Sequence, residues 1–286
     1  MKNRGNGFRK IMNSIPVMTA PVLMYHEVTA ASEQDKAVRK TNPAYCVTLD
    51  AFRRQMEHLA AGGFRSLSLD DLMAGDTGPS GVVITFDDGW DNNHGTAWPI
   101  LTELGLTATI FVVSGFMGQP DYLTWEQVRE LADAGISIQS HTVSHRPLGL
   151  LADGEIRTEL EDSKKAIEDR IGRAVNHISM PQGVFDRRVI EMAAQAGYRS
   201  VSTSEPGVRH RGGNPAVLGR INVSGSYDLA TFGRIVAGDR SVLLPMILNK
   251  KAKNFVKSLV GYGTYRKLYR FCYRIDDSGT GTTSNP

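Results

Sequence analysis

Short apolar runs alternate along this chain with stretches in which apolar positions recur every three or four residues. The first pattern predicts buried strands and the second amphipathic helices. Pro21–Tyr25 reads as the opening strand, followed by a polar stretch to residue 45. A helix should begin near Thr48 or Asp50, bury Phe52, Met56 and Leu59, and stop at Gly62-Gly63, where positive φ carries no steric cost. Val82–Phe86 is a second strand, too uniformly apolar to have a wet face. A helix follows to Leu104 and Gly105, then a strand over Thr107–Val113. Thr124 to Gln127 forms a capping box that opens a helix running to Gly135. Ile136–Ser140 is strand, and Ile156, Leu160, Ile167 and Ile171 mark the inner face of a long helix. Val175–Met180 is strand, Asp186 caps a helix to Ala196, and Tyr198–Thr203 and Val217–Val223 complete the strands. Repeated strand–helix units imply an α/β fold with parallel strands buried on both faces. An open doubly wound sheet and a closed barrel both fit. The Gly-rich phosphate-binding turn of a nucleotide fold is missing at the required spacing.

A chain of 286 residues can bury one sizeable core. It contains no run of eighteen apolar residues, so no spanning helix is predicted. Charge divides it unevenly. Residues 1–26 carry four basic side chains and no acid, residues 241–274 carry eight and no acid, and residues 27–240 have a net charge of −7. An acidic body of this kind does not bind nucleic acid by charge. The chain therefore divides into a basic extension (1–20), a body (21–240), a basic amphipathic segment (241–274) and a Ser/Gly/Thr-rich tail (275–286) expected to be disordered. Between Lys250 and Arg274 the cations interleave with Phe255, Leu259, Tyr262, Leu268 and Tyr269. That composition suits peripheral contact of residues 250–274 with an anionic membrane, or a helix packed on the body with a solvated basic face. Gly261 and Gly263 interrupt any single long helix there. The apolar stretch after the basic N-terminus, Ile15–Met24, is short and broken by Pro16 and Pro21, so the expected location is cytoplasmic, at most membrane-peripheral. Cys46 and Cys272 supply neither a disulfide framework nor metal-ligand spacing.

Three polar clusters follow three predicted strands, where α/β folds carry their chemistry. Thr85-Phe-Asp87-Asp88-Gly89 sets two adjacent carboxylates at the end of an apolar strand, where they repel unless a cation or proton intervenes. Alternation sends them in different directions, which suits different tasks, although Asp-Asp-Gly is also ordinary turn chemistry. His141-Thr-Val-Ser-His145 follows Ile136–Ser140. Two imidazoles four apart share one face if the turn is helical, and neutral imidazole suits Zn2+ and similar metals. Two solvated loop histidines are the plain alternative. Met180-Pro181-Gln182-Gly183 is by itself a turn. His26 ends the first strand and faces the same mouth, as a site-lining or a structural residue. Trp90 and Trp125 are sugar-stacking or core aromatics, and His94 is expected to be exposed.

The order of these motifs resembles the polysaccharide deacetylase family, also called NodB-homology or carbohydrate esterase family 4. The resemblance runs from about residue 21 to 225, opening with Pro21-Val-Leu-Met-Tyr-His26-Glu-Val28. It implies an irregular (β/α)7-type barrel and a hydrolase that removes N-acetyl groups from an amino-sugar glycan or lipid-linked saccharide. It also implies a divalent metal, Zn2+ before Co2+ or Ni2+, held by Asp88, His141 and His145, with Asp87 as general base. Pro181, Gln182, Gly183 and His26 would contact substrate, the Gln182 N–H standing at the oxyanion. The chain departs from the family where an arginine often orients the base, here Ser179, and where an aromatic often follows the proline, here Gln182. No late Leu-x-His general acid is recognisable; Leu218-Gly219-Arg220 stands near its place, and His177 and His210 are the candidates. Asp87, once protonated, could also serve. The rival readings are another amidase, such as a deformylase acting on a lipid-linked sugar, and an inactive carbohydrate-binding barrel.

Overall fold

The computed structural model describes residues 20–29, 43–207, 216–261 and 264. Most of the N-terminal extension, His210 and the 275–286 tail lie outside them, as does the basic segment beyond Gly261 except residue 264. The strands are β1 (Val22–Tyr25), β2 (Glu27–Thr29), β3 (Cys46–Thr48), β4 (Arg65–Ser66), β5 (Gly81–Phe86) and β6 (Thr109–Val112). They continue as β7 (Ser137–Ser140), β8 (His177–Ser179), β9 (Ser200–Ser202), β10 (Val217–Leu218) and β11 (Ile221–Asn222). Hydrogen bonding follows the path β10-β9-β8-β7-β6-β5-β1-β11, with β4 also on β5, and every pairing is parallel. β2 and β3 form a separate two-stranded sheet.

The two ends of this path are pieces of one short run of chain. Val217–Val223, expected as one strand, is split: β10 pairs with β9 and β11 with β1, so the sheet curls back on itself through Gly219-Arg220. Counted as one stave, that run makes seven around the ring, the architecture of the (β/α)7 type. Gly219 permits the kink, because a Cβ there would lie 2.3 Å from the Gly207 carbonyl oxygen and 2.7 Å from that of Glu205. Only a residue without a side chain fits.

Alternation divides the strands between two surroundings. Leu23, Ile84, Ile110, Ile138 and Ile178 face outward into the main core beneath the helices. Val22, Val83, Phe111 and Leu218 meet Leu67, Leu69 and Leu72 in a smaller cluster that closes the floor. The helices form where the pattern demands. Leu49–Ala61 is capped by Thr48 and buries Phe52, Met56 and Leu59; Trp125–Asp133 opens on the Thr124/Gln127 capping box; Asp153–Ile171 ends at Gly172 in the left-handed region. The single helix expected before Leu104 instead opens as a π-helical turn, Asn93–Ala97, followed by α-helix over Trp98–Glu103. Pro99 explains the break: it has no N–H to donate, so a regular α ladder cannot cross this junction.

Candidate active site

The carboxyl ends of β5, β7 and β8 bring the three motifs together. Asp87 and Asp88 follow β5, His141 follows β7, and the turn Pro181–Gly183 follows β8. Among the described residues five non-glycines have left-handed φ, and four of them lie in these motifs: Asp88 (77°), Thr142 (69°), His145 (57°) and Gln182 (57°). Such conformations cost free energy and persist where the surroundings impose them, commonly at functional sites.

Asp88 Oδ1 lies 3.4 Å from Nε2 of both His141 and His145. One ligand atom from each of the three falls within 4.8 Å of the others, spacing fit for one cation. Their supports suit that task. His141 Nδ1 donates to the Ser179 carbonyl at 2.9 Å, which leaves Nε2 facing the shared point. The other Asp88 oxygen accepts from Trp90 Nε1 at 3.1 Å. The helical turn considered for His141–His145 is not formed; a loop with two left-handed residues brings the imidazoles together. Glu159, buried on the long helix, fastens that loop by accepting from the Val143 and Ser144 N–H groups, each at 2.9 Å, and from the Ser144 hydroxyl. Burial pushes the Asp88 carboxyl up, but the hydrogen bond from His141 and the charges of His145, His26 and His141 outweigh it and hold it well below the usual range. Burial lowers His145 to about 4 despite Asp88. Burial also acts to lower His141, yet Asp87 and Asp88 raise it on balance. A divalent cation among them would favour the neutral, ligating form of both imidazoles.

Asp87 has a different setting, as the alternation argument expected. It is buried, and its two oxygens accept from Arg220 Nη1 at 2.6 Å and Nη2 at 2.7 Å. Ser179 Oγ donates to Oδ2 at 3.1 Å while accepting from Arg220 Nη2 at 2.7 Å. The arginine missing at position 179 is thus supplied from the barrel's closing kink, and the smaller Ser179 leaves room for it. Burial raises the Asp87 carboxyl, but the charges of Arg220 and His141 and the Arg220 hydrogen bonds bring it down to about 2. Sequence reasoning missed Arg220 and Glu159. The available signals were an arginine after a glycine inside an apolar strand, and an acid three residues after Ile156 on a buried helix face.

His26 lies close enough for the charges of Asp88, Asp87, Arg220 and His141 to act on it, although burial dominates and lowers it. Its Nδ1 is buried with no hydrogen-bond partner among the described residues. Gln182 Nε2 reaches the His145 carbonyl at 3.3 Å, tying the Pro181–Gly183 turn to the His141–His145 loop. Gly183 cannot be replaced freely, since a Cβ would fall 2.5 Å from Ser204 Oγ. His177 starts β8, at the opposite end of the barrel from these groups, so it is not a general acid for this site. Trp90 is buried against Tyr122 rather than open for sugar stacking, and Trp125 packs on the core under Arg170. His94 is less exposed than expected, bonded to Glu130 at 2.8 Å and tilted against Trp98.

Comparison with known proteins agrees with this geometry. The family described as polysaccharide deacetylase matches residues 74–201. YxkH of Bacillus subtilis, a candidate polysaccharide deacetylase, is 32% identical over 221 residues, covering 76% of this chain and 75% of YxkH. A chitooligosaccharide deacetylase of Bradyrhizobium is 29% identical over 132 residues, covering 45% of this chain and 58% of that protein. Among solved structures, the Streptococcus pyogenes deacetylase PplD in complex with acetate has a TM-score of 0.67 at 27% identity, covering 74% of this chain and 94% of PplD. BC0361, a polysaccharide deacetylase from Bacillus cereus, has a TM-score of 0.68 at 25% identity, covering 76% of this chain and 68% of that one. With the motifs, the seven-stave barrel and these similarities in agreement, the chain belongs to the polysaccharide deacetylase family.

Proposed function

We propose that this protein is a metal-dependent hydrolase that removes N-acetyl groups from an amino-sugar glycan or sugar conjugate. One observation carries the reading: Asp88, His141 and His145 converge on one point while a second carboxylate, Asp87, is clamped beside them by Arg220. A divalent ion held by the three, Zn2+ before Co2+ or Ni2+, would polarise the acetyl carbonyl and acidify water in the site. Asp87 takes the proton of the attacking water, its two oxygens fixed by Arg220 and Ser179 so that the carboxylate need not reorganise. The Gln182 N–H, on a turn anchored to the His145 carbonyl, stabilises the oxyanion. His26, buried within the fields of both carboxylates and with its Nδ1 unpartnered, relays to the leaving nitrogen the proton that Asp87 took from water; these features support that role over His177.

The test is release of acetate, against formate, from N-acetylhexosamine oligomers, nucleotide sugars and lipid-linked sugars, with and without Zn2+. Release of acetate from none of them would overturn the proposal. His26→Gln should slow acetate release from an amino sugar about 100-fold or more, yet leave hydrolysis of nitrophenyl acetate within a few-fold, because that leaving group needs no proton. Equal loss on both substrates would remove His26 from this role.

Peripheral membrane contact through residues 250–274 is part of the same proposal. The helix Arg240–Val260 contains no acid, exposes Leu248, Val256 and Leu259, and ends at Gly261, and among the described residues no helix is long and apolar enough to cross a membrane. Co-sedimentation with anionic vesicles, lost on Leu248→Ser/Leu259→Ser, is the expected result. Absence of binding by the unaltered chain at low salt would exclude it.

A further inference from the structure

Asp88 uses its two oxygens for different purposes. Oδ1 is equidistant from the two imidazole Nε2 atoms, at 3.4 Å each, and Oδ2 is taken by the Trp90 indole N–H at 3.1 Å. An indole nitrogen is a donor only and cannot itself ligate a cation. The donor is also rigidly held. Trp90 is 8% exposed and stacks on Tyr122 with ring centroids 4.7 Å apart and planes 21° from parallel. Tyr122 is backed in turn by Phe116, 5.0 Å away. Two backbone hydrogen bonds, Asp91 N–H to the Asp121 carbonyl and Leu123 N–H to the Gly89 carbonyl, each 2.9 Å, fasten the segment bearing Tyr122 alongside the segment bearing Trp90. The loop after β6 therefore clamps a side chain that the Asp-Asp-Gly turn supplies.

We infer that Trp90 is a positioning residue that restricts Asp88 to one-oxygen ligation of the divalent cation, with Tyr122 as its buttress. A carboxylate free to turn can offer both oxygens and fill a further coordination position. With Oδ2 occupied by the indole it offers Oδ1 alone, and the position it does not fill stays open to water and the acetyl oxygen. This inference rests on the reading that Asp88, His141 and His145 hold the ion.

The experiment titrates the full, metal-stripped chain with Co2+ alone and follows the visible absorption of the ion. In Trp90→Phe the ring remains to stack but the N–H is lost. The expected result is Co2+ affinity weakened about 10- to 100-fold, with lower absorption per bound ion as a second carboxylate oxygen joins the coordination. Tyr122→Phe, which keeps the stacked ring, should bind Co2+ like the unaltered chain. If Trp90→Phe does not fold, replacement of Trp90 by the isosteric 3-benzothienylalanine removes the N–H alone and should give the same shift. Unchanged affinity and spectrum in either Trp90 variant would overturn the inference. Failure of the unaltered chain to bind Co2+ would instead overturn the ligand assignment beneath it.

Discussion

At the mouth of the barrel His141 Nε2 lies 3.4 Å from Asp88, and at the floor His177 Nε2 lies 3.3 Å from Asp70. The floor even has the composition of a nucleophilic triad, because His177 Nδ1 is 2.8 Å from Ser200 Oγ. Yet Ser200 and His177 are fully buried, and Asp70 is half-exposed and engaged by Arg199 at 3.0 Å. Burial lowers His177 in spite of Asp70, so the floor is a neutral packing arrangement that no substrate can reach. At the mouth one atom from each of three side chains faces a common point, Ser179 and Trp90 take the His141 and Asp88 atoms that face away, and Glu159 holds the backbone of the loop between the two histidines. Residue types do not separate the two ends. What separates them is whether the supports leave acceptor atoms converging on a common point.

The contrast breaks most visibly at Asp87. Asp87→Asn should cut turnover by about two to four orders of magnitude while the chain still binds its metal, because the base is lost and the ligands are not. Near-normal turnover in this variant would remove Asp87 as the base.

Arg220 tests whether the clamp on that base is structural or functional. Arg220→Met leaves a buried carboxylate without its counter-charge, which should cost about 3–5 kcal/mol in denaturant unfolding and raise the Asp87 pKa, seen as a shifted acid limb of kcat/KM. Arg220→Lys should recover only part of either loss, since an ammonium cannot hold both oxygens as a fork. Asp87 sits at about 2 in the fold against an ordinary 3.8. Its pairing therefore stabilises the protein above the ordinary value and ceases to do so as pH falls through about 2. That contribution is about 2 kcal/mol, and it should vanish from the acid-unfolding profile of Arg220→Met.

Glu159→Gln should have a smaller effect. The loop would keep one acceptor oxygen but lose a carboxylate, so metal affinity measured by competition with a chelator should fall about 10- to 100-fold with the fold retained. At the floor, His177→Gln should cost about 1–3 kcal/mol of stability and leave turnover per folded molecule unchanged. A loss of turnover there would erase the distinction between the two ends.

Much of this was legible in the sequence because local rules and tertiary structure agreed. The Val82–Phe86 run, the Thr124/Gln127 capping box and the glycine stops at Gly62-Gly63 and Gly135 form where pattern alone sets them. The motif residues after β5, β7 and β8 meet because parallel strands bring their carboxyl ends to one rim. The supports were not legible, because each depends on a pairing far apart in sequence. Arg220 meets Asp87 across 133 positions, and it does so only because Gly219 lets one run of chain pair with two opposite strands. Glu159 lies on a helix whose apolar stripe predicts burial but says nothing of the loop above it. The sequence leaves Trp90 open between sugar stacking and the core, and a hydrogen bond to its neighbour-but-one, Asp88, requires the turn geometry at Asp88-Gly89 to be known.

The central claim is that the mouth is a metal centre and the floor is not. Elemental analysis of purified, Zn2+-loaded chains after gel filtration tests it most directly. The account predicts one ion per chain in the unaltered protein and in His177→Gln, and almost none in His141→Ala/His145→Ala, with all three folded by circular dichroism. Full occupancy in the folded His141→Ala/His145→Ala chain, or loss of the ion in His177→Gln, would contradict it.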